Sequence, residues 1–292
     1  MASAPESPVT NWAYYNTDDK KSYIYDGTYW QILAQDGEDG ATGEKGDKGD
    51  KGDKGDKGDS VYASVATLFS YLEDLPDNDA DNPIVATLIG SVTLADLYAA
   101  LNTAGKFVVL DLESATTTDT FANGVTPGKE KIVSLVLPAT LTEIPSGTTL
   151  DAGTFANFSN LKSVYGANAV TVGSEAFYNC TSLTSVDLPE ATSINNNAFQ
   201  KCTRLTSVSL PKATTIRVSA FEACTSLTSV DLPKATTINN NAFQECPSLA
   251  SITLGETLPT VGFYIFNGIP LKDIALKVPA GSVWCLRHVA GK

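Results

Sequence analysis

The sequence predicts a strand-dominated solenoid of stacked coils, closed at its N-terminal side by a small α/β cap and preceded by a β-hairpin and a spacer. Three observations carry that prediction. The line LTSVDLPEATSINNNAFQKCTR, which starts at Leu183, returns as LTSVSLPKATTIRVSAFEACTS from Leu205 and as LTSVDLPKATTINNNAFQECPS from Leu227. Gly occupies every third position from Gly37 to Gly58, eight times without a miss. Between the glycine run and the repeats, residues 61–112 alternate helical and extended apolar patterns. The 292 residues divide accordingly into an aromatic hairpin module (1–36), a spacer (37–60), a cap (61–112), the repeats (113–277) and a closing remnant (278–292).

Composition narrows the function classes. The chain carries 33 acids against 20 bases, a formal net charge of −13. A nucleic-acid surface needs a basic face to displace counterions, so no nucleic-acid partner is expected. The same balance disfavours docking on an anionic membrane. No apolar run reaches the ~20 residues of a transmembrane helix. MASAPESPVTNW lacks the basic start and apolar middle of a signal peptide, as expected of a mature or trimmed chain. The abundance of Thr, Ser, Asn and Gly suits a secreted protein.

In the first module, Asp26-Gly27 lies between two short aromatic, alternating runs. That dipeptide supplies the positive φ angles of a tight type I′ turn, which predicts a hairpin, with a preceding strand near Trp12 to Tyr15. Trp12, Tyr14, Tyr25 and Trp30 read either as a sugar-binding platform or, more simply, as the area a tiny sheet must bury. The spacer follows. Only Gly fits the axis of a triple helix, so strict G-X-Y spacing is a collagen-like signature. The segment has no proline, and its X and Y positions are mostly Asp and Lys. Ion pairs of that kind contribute only ~0–1 kcal/mol each. A homotrimer stalk through residues 37–60 and an extended, solvated linker both stand.

In the cap, Ser60 is placed to start a helix with Val61, Val65, Leu68, Phe69 and Leu72 at helical spacing, ended by Leu75-Pro76. IVATLI from Ile84 reads as a strand. Thr93 begins a second helix with Leu94, Leu97, Tyr98 and Leu101 on one face, and Gly105 stops it. KFVVLDL then reads as a strand. An α/β cap covers the apolar end that the first coil of a solenoid otherwise exposes.

In the repeats, Phe155, Phe177, Phe199, Phe221 and Phe243 stand 22 residues apart, as do Cys180, Cys202, Cys224 and Cys246. Leu161, Leu183, Leu205, Leu227, Leu249 and Leu271 keep the same step. A period in the twenties with L-x-x-V-x-L identifies a leucine-rich-repeat solenoid. One coil holds too few apolar groups to fold alone; stacked coils set Leu on Leu and Phe on Phe, and their strands pair in parallel. The usual leucine-rich line has Asn or Cys eight residues after the first Leu, where this chain has Ala191, Ala213 and Ala235. A Pro follows the strand instead, then an Ile, then A-F-x-x-C.

That line resembles the BspA-like leucine-rich repeats of bacterial surface proteins, over about Phe121 to Lys277. Val61 to Leu112 looks like the N-terminal caps of such proteins in spirochaetes, and VPAGSV is similar to the family's closing segment, after which WCLRHVAGK departs from the usual ending. The resemblance implies a secreted or cell-surface protein used in attachment to host proteins or to other cells. It carries over no particular ligand.

Four cysteines on one face, one per coil, read as buried free thiols in a small core slot; parallel-stacked Cβ vectors are poorly placed for disulfides. Zinc sites want ligand pairs a few residues apart, and the chain has one His, His288, so no metal or other cofactor is expected. The same scarcity removes most nucleophile–His arrangements, and no enzyme activity is expected. Strand alternation turns Thr184, Ser185 and Asp187 outward on the concave sheet, with Thr206, Ser207, Ser209, Thr228, Ser229 and Asp231 as their counterparts. These nine residues form the candidate face for a protein ligand, a host matrix or bacterial surface protein. Asp187 and Asp231, about 10 Å apart across two strands, read as solvated residues rather than a catalytic pair. Larger anchors are sought at the ends, around Tyr165, Tyr178, Phe263 and Tyr264. The alternative to an adhesin-like module is a structural stalk assembled through the G-X-Y segment.

Overall fold

The computed structural model describes residues 13–16, 21–25, 30–35, 60–117, 127–147, 153–269 and 275–277. The chain forms two compact units, Met1–Ser60 and Val61–Lys292. In the first, β1 (Ala13–Asn16), β2 (Lys21–Tyr25) and β3 (Trp30–Gln35) form an antiparallel sheet in that order. The hairpin expected around Asp26-Gly27 is β2–β3, with Tyr25 opposite Trp30 and a bulge at Ser22/Tyr23. The expected third strand is β1, paired Tyr14 to Tyr23. Trp12, the glycine spacer and residues 278–292 lie outside the described residues, as do the side chains that would make an aromatic platform.

In the second unit the chain enters through β4 (Ser60–Tyr62) and α1 (Val65–Glu73). The helix is capped by Ser64, not Ser60: Ser64 and Thr67 exchange side-chain-to-backbone hydrogen bonds in a reciprocal box. Val61, expected on the helix's apolar face, is an exposed residue of β4. The apolar pattern had run through a strand and a helix as if they were one element. The remaining cap elements are β5 (Ile84–Leu88), β6 (Gly90–Val92), α2 (Leu94–Ala104), β7 (Val108–Asp111) and β8 (Ala115–Thr117). Leu94, Leu97, Tyr98 and Leu101 are all buried, and Gly105 ends α2 in the left-handed region at φ 67°.

The repeats contribute two strands per coil. The longer ones are β9 (Ile132–Val136), then β11 (Ser163–Tyr165), β13 (Ser185–Asp187), β15 (Ser207–Ser209), β17 (Ser229–Leu232), β19 (Ser251–Leu254) and β21 (Ala275–Lys277). Alternating with them are the two-residue strands β10 (Glu143–Ile144), β12 (Thr171–Val172), β14 (Ser193–Ile194), β16 (Thr215–Ile216), β18 (Thr237–Ile238) and β20 (Thr260–Val261). The longer strands, with β7, β5 and β4, form one ten-stranded sheet; the short ones form a six-stranded parallel sheet. This is a leucine-rich-repeat solenoid, strand-dominated as the sequence predicts.

A third ladder, which is not a sheet, runs along the A-F-x-x-C turns. The N–H groups of Phe155, Phe177, Phe199 and Phe221 donate to the carbonyls of Ala176, Ala198, Ala220 and Ala242 in the following coil. Aiming alternate peptide groups along the stack requires left-handed residues on either side of the Phe. Glu175, Asn197, Ser219, Asn241 and Tyr264 have φ between 55° and 61°, and Asn157, Asn179, Lys201, Ala223 and Glu245 between 56° and 63°. Only some of these are Asn, the non-glycine residue that tolerates the region best, so the ladder imposes the conformation on the others.

Inside, the rings of Phe155, Phe177, Phe199, Phe221 and Phe243 stack at 5.1–5.5 Å between centroids, and all five are fully buried. Cys180, Cys202, Cys224 and Cys246 are buried free thiols. Each donates to the carbonyl of the Phe 25 residues earlier, at 3.0–3.1 Å. Burial pushes the Cys180 thiol up to about 12.

The period loosens at the ends. The first described coil steps 29 residues, Ser134 to Ser163, and the last steps 24, Ser251 to Ala275. The row of Val186, Val208, Val230 and Ile252 is therefore continued by Leu276 rather than by the residue 22 positions on. Leu271 lies outside the described residues. An extra residue between β19 and β20 moves Phe266 to 6.4 Å from Phe243. Gly255, at that insertion, passes so close to the chain before it that a Cβ would sit 1.9 Å from the Pro233 carbonyl oxygen.

The cap is fastened to the repeats by Lys129, in a 3-10 turn over Lys129–Lys131. Its residue is 5% exposed, and its amine lies 5.6 Å from the ring centre of Tyr98 on α2 and 5.4 Å from that of Phe158 in the repeats. Burial pulls its pKa down to about 8, and the nearby Cys180 opposes that shift.

Two outcomes are expected. Phe199→Ala should lower stability in urea by roughly 3–5 kcal/mol, since it opens a ring-sized gap between two stacked rings; a loss under 1 kcal/mol contradicts the packing. Lys129 binds its proton less tightly when folded than when unfolded. The parent should therefore gain stability as pH rises from about 8 towards the ordinary lysine value of 10.5. Lys129→Met should be more stable than the parent at pH 7, and its advantage should shrink across that window; a constant difference between the two contradicts the assignment.

Candidate binding face

The strands of the long sheet send alternate side chains to opposite faces. In the coil from Leu183, Leu183, Val186 and Leu188 are buried, Thr184 is exposed, and Ser185 and Asp187 are half-buried. In the next two coils Thr206, Ser207, Ser209, Thr228, Ser229 and Asp231 are all exposed. Parallel pairing in register turns these positions into rows running across the strands. One row is Ser163, Ser185 and Ser207, with Ser229 and Ser251 in the later coils. Another is Tyr165, Asp187, Ser209, Asp231 and Thr253.

The nine residues expected on this face share it, but they do not share a role. The threonine hydroxyls hold the stack together. Thr184 donates to the carbonyl of Lys162 at 2.8 Å, Thr206 to Thr184 at 3.0 Å and Thr228 to Thr206 at 3.3 Å. By contrast, the side chains of Ser185, Ser207, Ser209, Ser229, Asp187 and Asp231 make no hydrogen bond or ion pair among the described residues.

Of the larger anchors, Tyr165 belongs to this face: it stands between Val136 and Asp187 in the row and is 38% exposed. Burial, with the carboxylates of Asp187 and Glu113 nearby, raises its phenol pKa. Tyr178 does not belong here. It is buried, its hydroxyl accepting from Lys201 at 2.7 Å and its ring lying under the same ammonium. Phe263 and Tyr264 are exposed in the final turn.

One feature of the face had no signal in the repeat. Lys162 occupies the threonine row's position in the preceding coil, and the cap loop holds it: its ammonium donates to the Ala80 carbonyl and to Asp81, each at 2.8 Å. The loop is itself fixed by Asn78, which exchanges two hydrogen bonds with the backbone of Phe107, and by Asp77 on the buried Lys106. No cluster of three His, Cys, Asp or Glu suited to a metal occurs among the described residues.

The BspA type leucine-rich repeat region matches residues 128–237 and 214–281, as six copies. The chain belongs to this family. Among solved structures, the BspA type chain is similar to the crystal structure of a leucine-rich repeat protein from Bacteroides ovatus ATCC 8483. The two are 19% identical with a TM-score of 0.40, over 67% of this chain and 72% of that one. It is also similar to a leucine rich cell surface protein from Faecalibacterium prausnitzii A2-165, 13% identical with a TM-score of 0.28, over 99% of both chains. No curated protein matches. No helix among the described residues is long and apolar enough to cross a membrane.

The division of labour on the face is testable by a pair of substitutions in adjacent residues. Thr206→Val should cost about 0.5–1.5 kcal/mol in chemical unfolding, the usual net value of an intramolecular hydrogen bond. Ser207→Ala should change stability by less than about 0.5 kcal/mol, as for an ordinary surface position. Equal losses contradict the assignment.

Proposed function

We propose that the chain is an adhesin-like, non-catalytic module at a bacterial cell surface or in the extracellular space, which binds a host matrix or bacterial surface protein. In this reading the outer face of the long sheet is the site, built from Ser185, Asp187, Ser207, Ser209, Ser229 and Asp231, with Thr184, Thr206 and Thr228 framing it. One observation carries the proposal: folding engages the threonine hydroxyls and leaves the serine and aspartate side chains beside them without a hydrogen bond or ion pair among the described residues. Membership of the BspA type family supports it, because the resemblance implies surface attachment. Small side chains offer few strong anchors, so one copy should bind modestly. Residues 37–60 serve as the spacer that holds the module away from its anchor, and several copies displayed together gain by avidity.

A second reading rests on the unbroken G-X-Y run: a stalk whose task is trimer assembly. Sedimentation of the full chain separates the two, since a stable trimer that binds no protein favours the stalk. For the binding reading, Ser209→Trp fills the centre of the face without changing its charge. The parent should bind one or more immobilised matrix or bacterial surface proteins with a chelator present, and the variant should lose at least tenfold in affinity, or about 1.4 kcal/mol. Undiminished binding by the folded variant places the site elsewhere.

A further inference from the structure

We propose that the row Tyr165–Asp187–Ser209–Asp231 receives an extended cationic segment of the partner, one that carries a basic side chain at every third residue. This inference rests on the reading of that face as the binding face and names the chemistry of what binds there.

Charge is the first ground. Asp187 and Asp231 have no ion pair or hydrogen bond among the described residues, and the carboxylate of Glu113 lies near Tyr165 at the same end of the row. The base at the head of the threonine row, Lys162, is held by Asp81 and the Ala80 carbonyl. From Tyr165 to Asp231 the open charges are therefore acidic, on a chain whose formal net charge is −13; Lys277 occupies the row two strands beyond Asp231, outside that stretch. Such a surface steers a cationic partner towards it and repels an acidic one.

Spacing is the second ground. Asp187 pairs with Ser209 and Ser209 with Asp231, so the two carboxylates stand two strand spacings apart, about 9.6 Å. A polyproline-II segment has three residues per turn and rises ~3.1 Å per residue, which places residues i and i+3 on one side about 9.3 Å apart. A β-strand puts same-side residues about 6.8 or 13.6 Å apart and fits neither step. An α-helix approaches the span only at i and i+7, about 10.5 Å. Tyr165, one strand before Asp187, adds a partly exposed ring beside the first carboxylate. Rings of that kind are what polyproline-II segments stack against.

The test uses the full chain and fluorescein-labelled peptides read by anisotropy: (Lys-Pro-Pro)5, (Glu-Pro-Pro)5, (Lys-Pro-Pro-Pro)4, and an alanine-based helix with Lys at i and i+7. The expected result is that (Lys-Pro-Pro)5 binds best and weakens as salt is raised. The four-residue spacing and the helix should bind at least about threefold less well, and the glutamate peptide not at all. Asp187→Asn with Asp231→Asn, one half-buried and one exposed position and both changes nearly isosteric, should cost (Lys-Pro-Pro)5 about fivefold. Equal binding of all three lysine peptides, unaffected by the double variant, would mean general attraction of polycations to an acidic protein and would overturn the proposal. Tighter binding of the helix would overturn the polyproline-II occupant. If Ser209→Trp blocks a protein partner while the double variant does not and no lysine peptide binds, the cationic segment is wrong and the binding face stands. If Ser209→Trp leaves every partner bound, both are wrong.

Discussion

The register between successive coils is the constraint on which the rest of this structure depends. A 22-residue coil contributes one ring, one thiol and a few aliphatic side chains to the interior, too little to pay for its own ordering. Coupled to neighbours it gains three hydrogen-bonded ladders at once: the long sheet, the six-stranded sheet and the axial ladder of the A-F-x-x-C turns. The Phe rings lie within 2–17° of parallel from Phe155 to Phe243 because the three ladders permit one rotation per coil and one rise. Parallel rings at 5.1–5.5 Å fall within the centroid range that stacked aromatic pairs favour, so the spacing set by the backbone suits the rings that complete the dry interior.

The same register decides what the surface can offer. In L-T-S-V-D-L the Thr lies within reach of the preceding coil's carbonyl, so its hydroxyl is drawn into the stack. The Ser and Asp side chains of the same line make no hydrogen bond among the described residues. On the proposed function, recognition and stability are carried by neighbouring letters of one repeat, so substitutions at the Asp187, Ser209 and Asp231 positions are expected to alter recognition without unpicking the core. Tyr165 stands in the same row between Val136 and Asp187, in a coil whose letters differ from the L-T-S-V-D-L line.

Much of this was legible in the sequence, for a physical reason: a solenoid writes each buried contact several times. Phe199 and Cys202 are recognisable as core because Phe177, Phe221, Cys180 and Cys224 stand one period away. What repetition does not mark was missed or misplaced. Ser60 and Ser64 both fit a helix start, and only the reciprocal bonds with Thr67 decide between them. The left-handed positions hold Glu, Asn, Ser, Lys, Ala and Tyr, so residue type gives no sign of a conformation that hydrogen bonding imposes. Tyr178 looks like a surface aromatic until Lys201, one coil on, is seen to cover it. The first and last coils, at 29 and 24 residues, break the count from which the rows were read.

If register is what holds the molecule together, removing one whole period should be far less harmful than removing part of one. Deleting residues 205–226 joins Arg204 to Leu227 and leaves every ladder with an equivalent neighbour. Deleting residues 205–215 removes half a coil and sets strands against turns. Circular dichroism with urea unfolding compares the two. The account predicts a cooperatively folded protein for the first deletion, with a near-parental spectrum and a lower midpoint. For the second it predicts loss of the cooperative transition. Equal unfolding of the two proteins, or collapse of the whole-period deletion alone, would contradict it.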